Sequence, residues 1–316
     1  MGHPYLHRKR SCQAVTTMRQ LLAGLCLWMA CALVQAEVVK VRAFDDIVDS
    51  GVLKVAMYEN FPPYSFMADG KPRGVDFELA QKLASELGLK VEVLWVRPDE
   101  TLDDDLRNFI WKGHYLRPNV LADVMMRVPY DREFSYKQNE LGELINELVV
   151  MFGPYQRERW QSAYDDRRLE ELSSVAVFRY HPVGVEVESV PSFYLSSVFN
   201  GSIAKMLHHY PTAQAAFAAM QAGEVDATMA MRGEIDWMLS QANDSHLKAA
   251  QNAYPNMGKQ VWELGMAVHE SNRQLAYALE GELEGLIKAG TVKAIYEGYG
   301  LQYELPELYQ VQLGEN

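Results

Sequence analysis

The chain reads as an α/β protein of two units, and three observations carry that reading. Short apolar strands alternate with helices of 3.6-residue periodicity, the order that gives a largely parallel sheet. The alternation runs once from about residue 51 to 126, then restarts near residue 182. The 316 residues fit about two domains, and no Gly/Ser tether separates the two runs.

Each element has a local reason. Gly51–Tyr58, "GVLKVAMY", is a strand, and "NFPPYSF" after it is loop because Pro62 and Pro63 cannot continue a helix. "GKPRG" is a turn. "VDFELAQKLASELGLK" places Leu79, Ala80, Leu83, Ala84 and Leu87 on one helical face, with Asp76 expected as N-cap and Gly88 as C-cap. "VEVLWV" is a strand, "LDDDLRNFIWKG" a helix and "ADVMM" the third strand. In the second run "PVGVEV" is a strand, "PSFYLSSVF" and "PTAQAAFAAMQAG" are helices, "EVDATMAM" is a strand and "GEIDWMLSQA" a helix. "WELGMAVHE" is a strand, and residues 272–300 form two closing helices.

The first 36 residues stand apart. Arg8, Lys9, Arg10 and Arg19 precede a 14-residue apolar stretch, Leu21–Val34, too short for a membrane span of about 20 residues. Val34 and Ala36 occupy the small-residue positions of a signal-peptidase site, so residues 1–36 are expected to be a signal peptide, cleaved after Ala36. A lipid anchor at Cys31 is the weaker reading, since Trp28 stands where Leu is wanted, and Met18 is an alternative start. Removing residues 1–36 shifts the net charge from −12 to −16 and takes away Cys12, Cys26 and Cys31, which are all the cysteines. The mature chain then has no disulfide, thiol nucleophile or thiolate metal site. Its acidity argues against a nucleic-acid partner.

The residues then reach a resemblance. "LKVAMYENFPPYSF" followed by "GKPRGVDFELAQKLASELG" resembles the opening of the bacterial periplasmic solute-binding proteins of the polar amino-acid type, solute-binding protein family 3. "GMAVHESNRQLAYALEGELEGLIKAGTVKAIYEGYGL" is similar to the family's closing strand and helices. Together these cover about residues 45–305. The resemblance implies a two-lobed periplasmic binding protein of type II with a strand hinge. Residues 37–155 would start lobe 1, 156–255 would form lobe 2, and 256–316 would return to lobe 1 and end in a tail. It also implies a monomer in the periplasm that serves a membrane permease, closing its lobes as the ligand shifts a hinge equilibrium.

Ligands of open α/β sheets bind beyond the carboxyl ends of the strands. That rule selects Phe61 and Tyr64 after the first strand, and Arg127, Tyr130 and Arg132 after the third. From the second unit it selects Ser189, Tyr194 and Arg232. Three arginines suit an anion, because guanidinium pairs with carboxylates in two-pronged fashion, and Phe61 and Tyr64 suit stacking. The opposing expectation is that Arg127, Arg132 and Arg232 pair with Asp131, Glu133 or Glu188 and hold turns.

The chain departs from the family's amino-acid site. The hydroxyl run usual after the third strand is missing, and Asp123 to Arg132 is nine positions, shorter than usual. Met231 and Arg232 stand where the family's carboxylate takes the ligand ammonium, and a desolvated ammonium without such a partner is costly. A small anionic or aromatic, non-standard ligand is therefore expected. The link "ADVMMRVP" and "PVGVEVESVPSFYL" resemble a sub-group associated with quinoprotein (PQQ-dependent) alcohol dehydrogenases. That implies an accessory docking role as the alternative, with "GHYLRPNVL" (Gly113–Leu121) as a partner surface on the side away from the cleft.

No enzyme, cofactor or metal is expected. Asp103, Asp104 and Asp105 favour a helix dipole and point apart. His208 and His209 are adjacent and share no helical face. H-E-x-x-H, G-x-S-x-G and phosphate-binding glycine loops are absent. A cleft enzyme of dehydratase type is the second alternative, with Glu59 or Glu188 as its acid.

Overall fold

The computed structural model describes residues 40–314. The expected leader, residues 1–36, lies outside the described residues. The compact unit Val41–Asn316 is built on a mixed nine-stranded sheet.

Along the chain, α1 (Phe44–Ser50) leads into β1 (Val52–Tyr58), the small hairpin β2 (Phe66–Ala68) and β3 (Lys71–Arg73), and α2 (Val75–Glu86). Next come β4 (Lys90–Val96), α3 (Leu102–Leu106) running on into a π turn at Arg107–Trp111, β5 (Val124–Pro129) and the single turn α4 (Arg132–Ser135). The 17-residue β6 (Val149–Asp165) then crosses to the second half. There lie β7 (Val183–Glu186), α5 (Val190–Gly201), β8 (Leu207–Tyr210), α6 (Ala213–Ala222), β9 (Ala227–Met231), α7 (Arg232–Ala242) and β10 (Leu247–Ala249). The chain returns through β11 (Val261–His269) to α8 (Arg273–Lys288), α9 (Thr291–Gly298) and α10 (Glu307–Leu313).

The strand order is β4-β1-β5-β11-β6-β9-β7-β8, with β10 also on β6. Pairing is parallel in the outer parts, β4/β1/β5 and β9/β7/β8, and antiparallel where β11 and β6 meet their neighbours. The expected largely parallel sheet thus has an antiparallel centre. β6 belongs to both halves: Val149–Arg159 pair with β11, and Trp160–Tyr164 pair with β9. Its long polar run, "YQRERWQSAYD", hides it in the sequence, since Gln156, Glu158 and Ser162 are buried.

Hydrophobic burial supplies the main driving force. One core lies between the first half of the sheet and α2, α8 and α9, around Leu79, Leu83, Leu279 and Tyr296. A second fills the opposite face with Ala56, Leu106, Ile110 and Met125. The second half has its own cores around Phe178, Leu195 and Met229 and around Phe217, Met220 and Ile235. Trp237 of α7 packs against clusters of both halves.

Two local expectations are corrected. Gly74, not Asp76, is the N-cap of α2, because its φ of 118° and the carbonyl of Tyr64, 2.2 Å from where a Cβ would sit, admit only glycine. Asp76 is free of the cap and turns into the core. The doublet His208–His209, read above only against a helical face, instead lies on strand β8, directly after a short turn of 3-10 helix at Ala204–Met206.

Candidate functional site

At the strand ends the predicted residues separate into groups. Arg127 is the extra residue of a bulge: β5 pairs Met126 with Met266 and Val128 with Gly265, skipping it. Its φ of 61° re-aims the side chain inward, leaving it 6% exposed. The guanidinium donates to Asp76 (Nε–Oδ2 2.8 Å, Nη2–Oδ1 3.3 Å) and to Gln156 Oε1 (2.8 Å), and lies 3.3 Å from the ring centroid of Tyr64. Tyr155 donates to Asp76 at 3.0 Å and Tyr296 to Gln156 at 2.7 Å. The fully buried Tyr64 donates to Glu158 Oε2 (2.7 Å), which also accepts from Gln156 Nε2 (2.8 Å). Phe61 closes the edge of this group, 5.1 Å from Tyr64 and 6.2 Å from Tyr58 between ring centroids. Tyr64 and Arg127 are thus brought together, as parts of a buried polar network.

Arg232 opens α7, 4% exposed. It pairs with Glu304 and donates to the carbonyls of Arg157 (3.2 Å) and Gln302 (3.3 Å), while Gln302 N–H donates to Asp236 (3.0 Å). The segment after α9 therefore clasps α7. Tyr194 is buried and donates to Pro255 O at 3.0 Å. Tyr130 and the exposed Arg132 line a different cavity of about 580 Å³ with Ser135, Tyr136 and Arg273. Asp131 caps α4 and pairs with Lys259. The three arginines do not converge.

Ser189 caps α5, accepting from Ser192 N–H at 3.2 Å. It also lines a small cavity of about 110 Å³ at the ends of β7 and β9, with Trp160, Glu186, Met231 and Glu234. Glu234 is 4% exposed, and its one hydrogen bond among the described residues is a long one from Met231 N–H to Oε2 (3.4 Å). Burial, and then the charge of Glu186, push its carboxyl up to about 8. Burial raises Glu186 too, opposed by the N–H of Ala213 at the start of α6. Glycine at 233 makes this possible: a Cβ there would sit 2.2 Å from Tyr64 Oη, so Tyr64 closes directly over the start of α7.

A carboxyl raised that far is held mostly protonated near pH 7, and a cation placed beside it would favour the ionised form. Sequence reasoning passed over Glu186 and Glu234. Glu234 stands at the third helical position, where a Glu ordinarily reads as part of a solvated cap. Its signal was the run "MRGE": an acid beside a glycine at the end of a lobe-two strand. The expected acids fare differently. Glu59 pairs with Arg97 at 2.8 Å on the surface, and Glu188 is exposed. Among the described residues no group of three His, Cys, Asp or Glu side chains is placed to hold a metal ion, and no helix is long and apolar enough to cross a membrane.

The comparisons fall on the same elements. The family described as bacterial extracellular solute-binding proteins, family 3, matches residues 53–302. An ancestral cationic amino acid solute-binding protein has a similar structure, with a TM-score of 0.63 at 20% identity over 81% of this chain and 98% of that one. A substrate-binding protein of an amino acid ABC transporter from Streptococcus pneumoniae, bound to L-arginine, gives a TM-score of 0.57 at 20% identity over 82% and 98%. These show the fold, a mixed α/β fold of the type II binding proteins. In sequence, a cyclohexadienyl dehydratase of Pseudomonas aeruginosa is 31% identical over 118 residues, 36% of this chain and 42% of that protein. A membrane-bound lytic murein transglycosylase F of Vibrio parahaemolyticus is 41% identical over 73 residues, 23% of this chain. The match spans only 13% of that transglycosylase.

Proposed function

The chain belongs to the bacterial extracellular solute-binding proteins, family 3, and from that premise we propose that it captures a small solute carrying an amino or guanidino cation. The observation that carries this is the buried, nearly unpartnered carboxyl of Glu234 beside Glu186 in the cavity at the ends of β7 and β9. The cation takes these two carboxylates, with the Trp160 ring beside them as a cation–π or stacking face. An anionic ligand is disfavoured because Arg127 and Arg232 are already ion-paired inside the protein, with Asp76 and Glu304, although Arg127 Nη1 and Arg232 Nε are left without a partner. The aromatic half of the earlier expectation survives at Trp160. The lobe boundaries near 155 and 255, the periplasmic location, the monomeric state and a permease partner remain part of this proposal. The finer likeness to the quinoprotein-associated sub-group finds no support in the comparisons.

Calorimetric titration of residues 37–316 with L-arginine and with benzylamine, against benzoate as the anionic control, tests the reading. Binding of either amine, with about one proton released at pH 7, is expected. Tight binding of benzoate alone would sink it.

One observation favours a second reading. A carboxyl held neutral at pH 7 is what a general acid requires, and a dehydratase is among the relatives. Glu234 would replace Glu59 and Glu188 as the proton donor of a cleft enzyme of dehydratase type. Formation of an aromatic product from prephenate, lost in Glu234→Gln, would establish it.

A further inference from the structure

The larger cavities carry both signs of charge. Asp131, Glu147, Arg132 and Arg273 line one. Glu59, Asp99, Arg97 and Arg117 line another, beside the loop 113–120, which was expected away from the cleft but reaches the carboxyl ends of β1 and β4. Mixed linings of this kind select no ligand charge. The small cavity at the ends of β7 and β9 is different. The described residues that line it include the two acids Glu186 and Glu234 and no Lys, Arg or His.

Its hydrogen-bonding character is as one-sided as its charge. The Ser189 hydroxyl donates to Glu186 O at 2.7 Å, and the Trp160 indole N–H donates to Lys259 O at 3.1 Å. The side-chain donors of the wall are thus engaged elsewhere. Ala213 N–H is taken by Glu186 and Met231 N–H by Glu234 Oε2, while Pro191 has no N–H to give. Glu234 Oε1 accepts from no described residue. The remaining surface is apolar, from Trp160, Ala213, Met229 and Met231.

A wall that accepts but does not donate sets a rule for what enters. An ammonium or guanidinium group brings donors to the two carboxylates. A carboxylate brings lone pairs and a negative charge, and meets neither a free side-chain donor nor a cation. Like charges opposed in a desolvated pocket repel strongly. Help from behind the wall is blocked. Arg127 Nη1 and Arg232 Nε have no partner, but both atoms are buried and neither arginine lines the cavity. Arg127 lies across the ring of the fully buried Tyr64, 3.3 Å from its centroid.

Resting on the cation reading of Glu234, we infer that the ligand is an amine without a carboxylate, the product that decarboxylation of an amino acid leaves, rather than an amino acid. At about 110 Å³ the cavity is smaller than the roughly 150 Å³ that holds a benzene ring. The cationic head and its first carbons fill it, and any larger part of the ligand stays outside. The position of a carboxylate then grades its penalty. In L-phenylalanine it shares a carbon with the ammonium and must enter with it. In L-arginine it sits a chain's length from the guanidinium and stays outside, so L-arginine is accepted, but less well than agmatine.

The test is calorimetric titration of the chain with three matched pairs: 2-phenylethylamine against L-phenylalanine, cadaverine against L-lysine, and agmatine against L-arginine. It is run at pH 8.5, where Glu234 is mostly ionised and has little proton to lend an acid. The amine should bind on the order of a hundredfold more tightly than the acid in the first pair, and about tenfold in the other two. L-Phenylalaninol keeps the size of L-phenylalanine but carries a hydroxyl donor in place of the carboxylate. It should bind within about tenfold of 2-phenylethylamine, and Glu186→Gln should narrow the first gap about fivefold by removing one repelling charge. Equal binding within the first pair would overturn the inference and leave the cation reading standing. So would L-phenylalaninol as weak as L-phenylalanine, which would put the exclusion down to size. If no amine binds, or if Glu234→Gln leaves amine binding unchanged, the cation reading itself fails and this inference falls with it.

Discussion

Two buried ionisable groups lie on either side of Tyr64, and they are treated oppositely. Arg127 is surrounded: Asp76 takes two of its N–H groups, Gln156 a third, and the Tyr64 ring covers its face. Glu234, just beyond Gly233 and the phenol of Tyr64, has one long backbone bond and a like-charged neighbour in Glu186. Desolvation is costly for both; the arginine has it largely offset by an ion pair inside the protein, with its Nη1 left unpartnered, whereas the glutamate has no ion pair among the described residues. A charge the fold satisfies is architecture; one that it buries and leaves wanting is poised for something from outside. The difference separates structural from ligand-facing residues better than their positions at strand ends did.

Breaking the satisfied side should have the largest effect. Asp76→Ala leaves the Arg127 guanidinium buried with Gln156 alone, and a loss of about 3–5 kcal/mol is expected for an orphaned buried ion, read by urea unfolding. Asp76→Ala with Arg127→Met should recover much of it. No recovery would mean that the bulge, not the ion pair, carries the stability.

The other side should respond with the opposite sign. Glu234→Gln removes a group whose carboxyl is raised to about 8. The unfolded chain ionises it in the ordinary Glu range, so folded stability falls as pH climbs from there to about 8. The variant should therefore be more stable than the parent at pH 7 by on the order of 1–3 kcal/mol, seen as a higher melting temperature. It should also lose at least tenfold in L-arginine affinity. A variant that is destabilised would place Glu234 on the architectural side.

A finer test keeps the sequence and varies pH. Cation binding requires the ionised form, so affinity should rise about tenfold per pH unit up to about 8 and then level. Flat affinity between pH 6 and 8 would separate the ligand from Glu234. The smallest effect is expected at Arg132, exposed on α4 and 5.8 Å from the Tyr136 ring centroid. Arg132→Ala should change stability by no more than about 0.5 kcal/mol and leave amine binding unaltered.

What was legible in the sequence was whatever depends on pattern. The face of α2, the strands β1, β5, β7 and β9, and the order of motifs at both ends of the chain all follow from periodicity and turn residues. What was not legible depends on a single residue's offset or on a contact far along the chain. One extra residue in β5 turns Arg127 from the strand end into the interior, toward an Asp76 that reads locally as a helix cap. β6 carries too many charged residues to look like a shared strand, since partners at both ends of the chain neutralise them: Glu158 with Tyr64, Arg159 with Glu304. Glu234 needs Tyr64 above it to be buried, 170 positions earlier.

The clasp on α7 bears on how the chain is made. Arg232 and Asp236 are made well before Gln302 and Glu304, the residues that partner them. As the chain emerges in order during synthesis, the start of α7 holds a cation lacking its carboxylate until Glu304 arrives, 72 positions later. The middle unit is thus kept incomplete while the chain is still threading. A ribosomal or translocon stall anywhere before Gln302 would hold it in that unfinished condition, open to chaperone or protease.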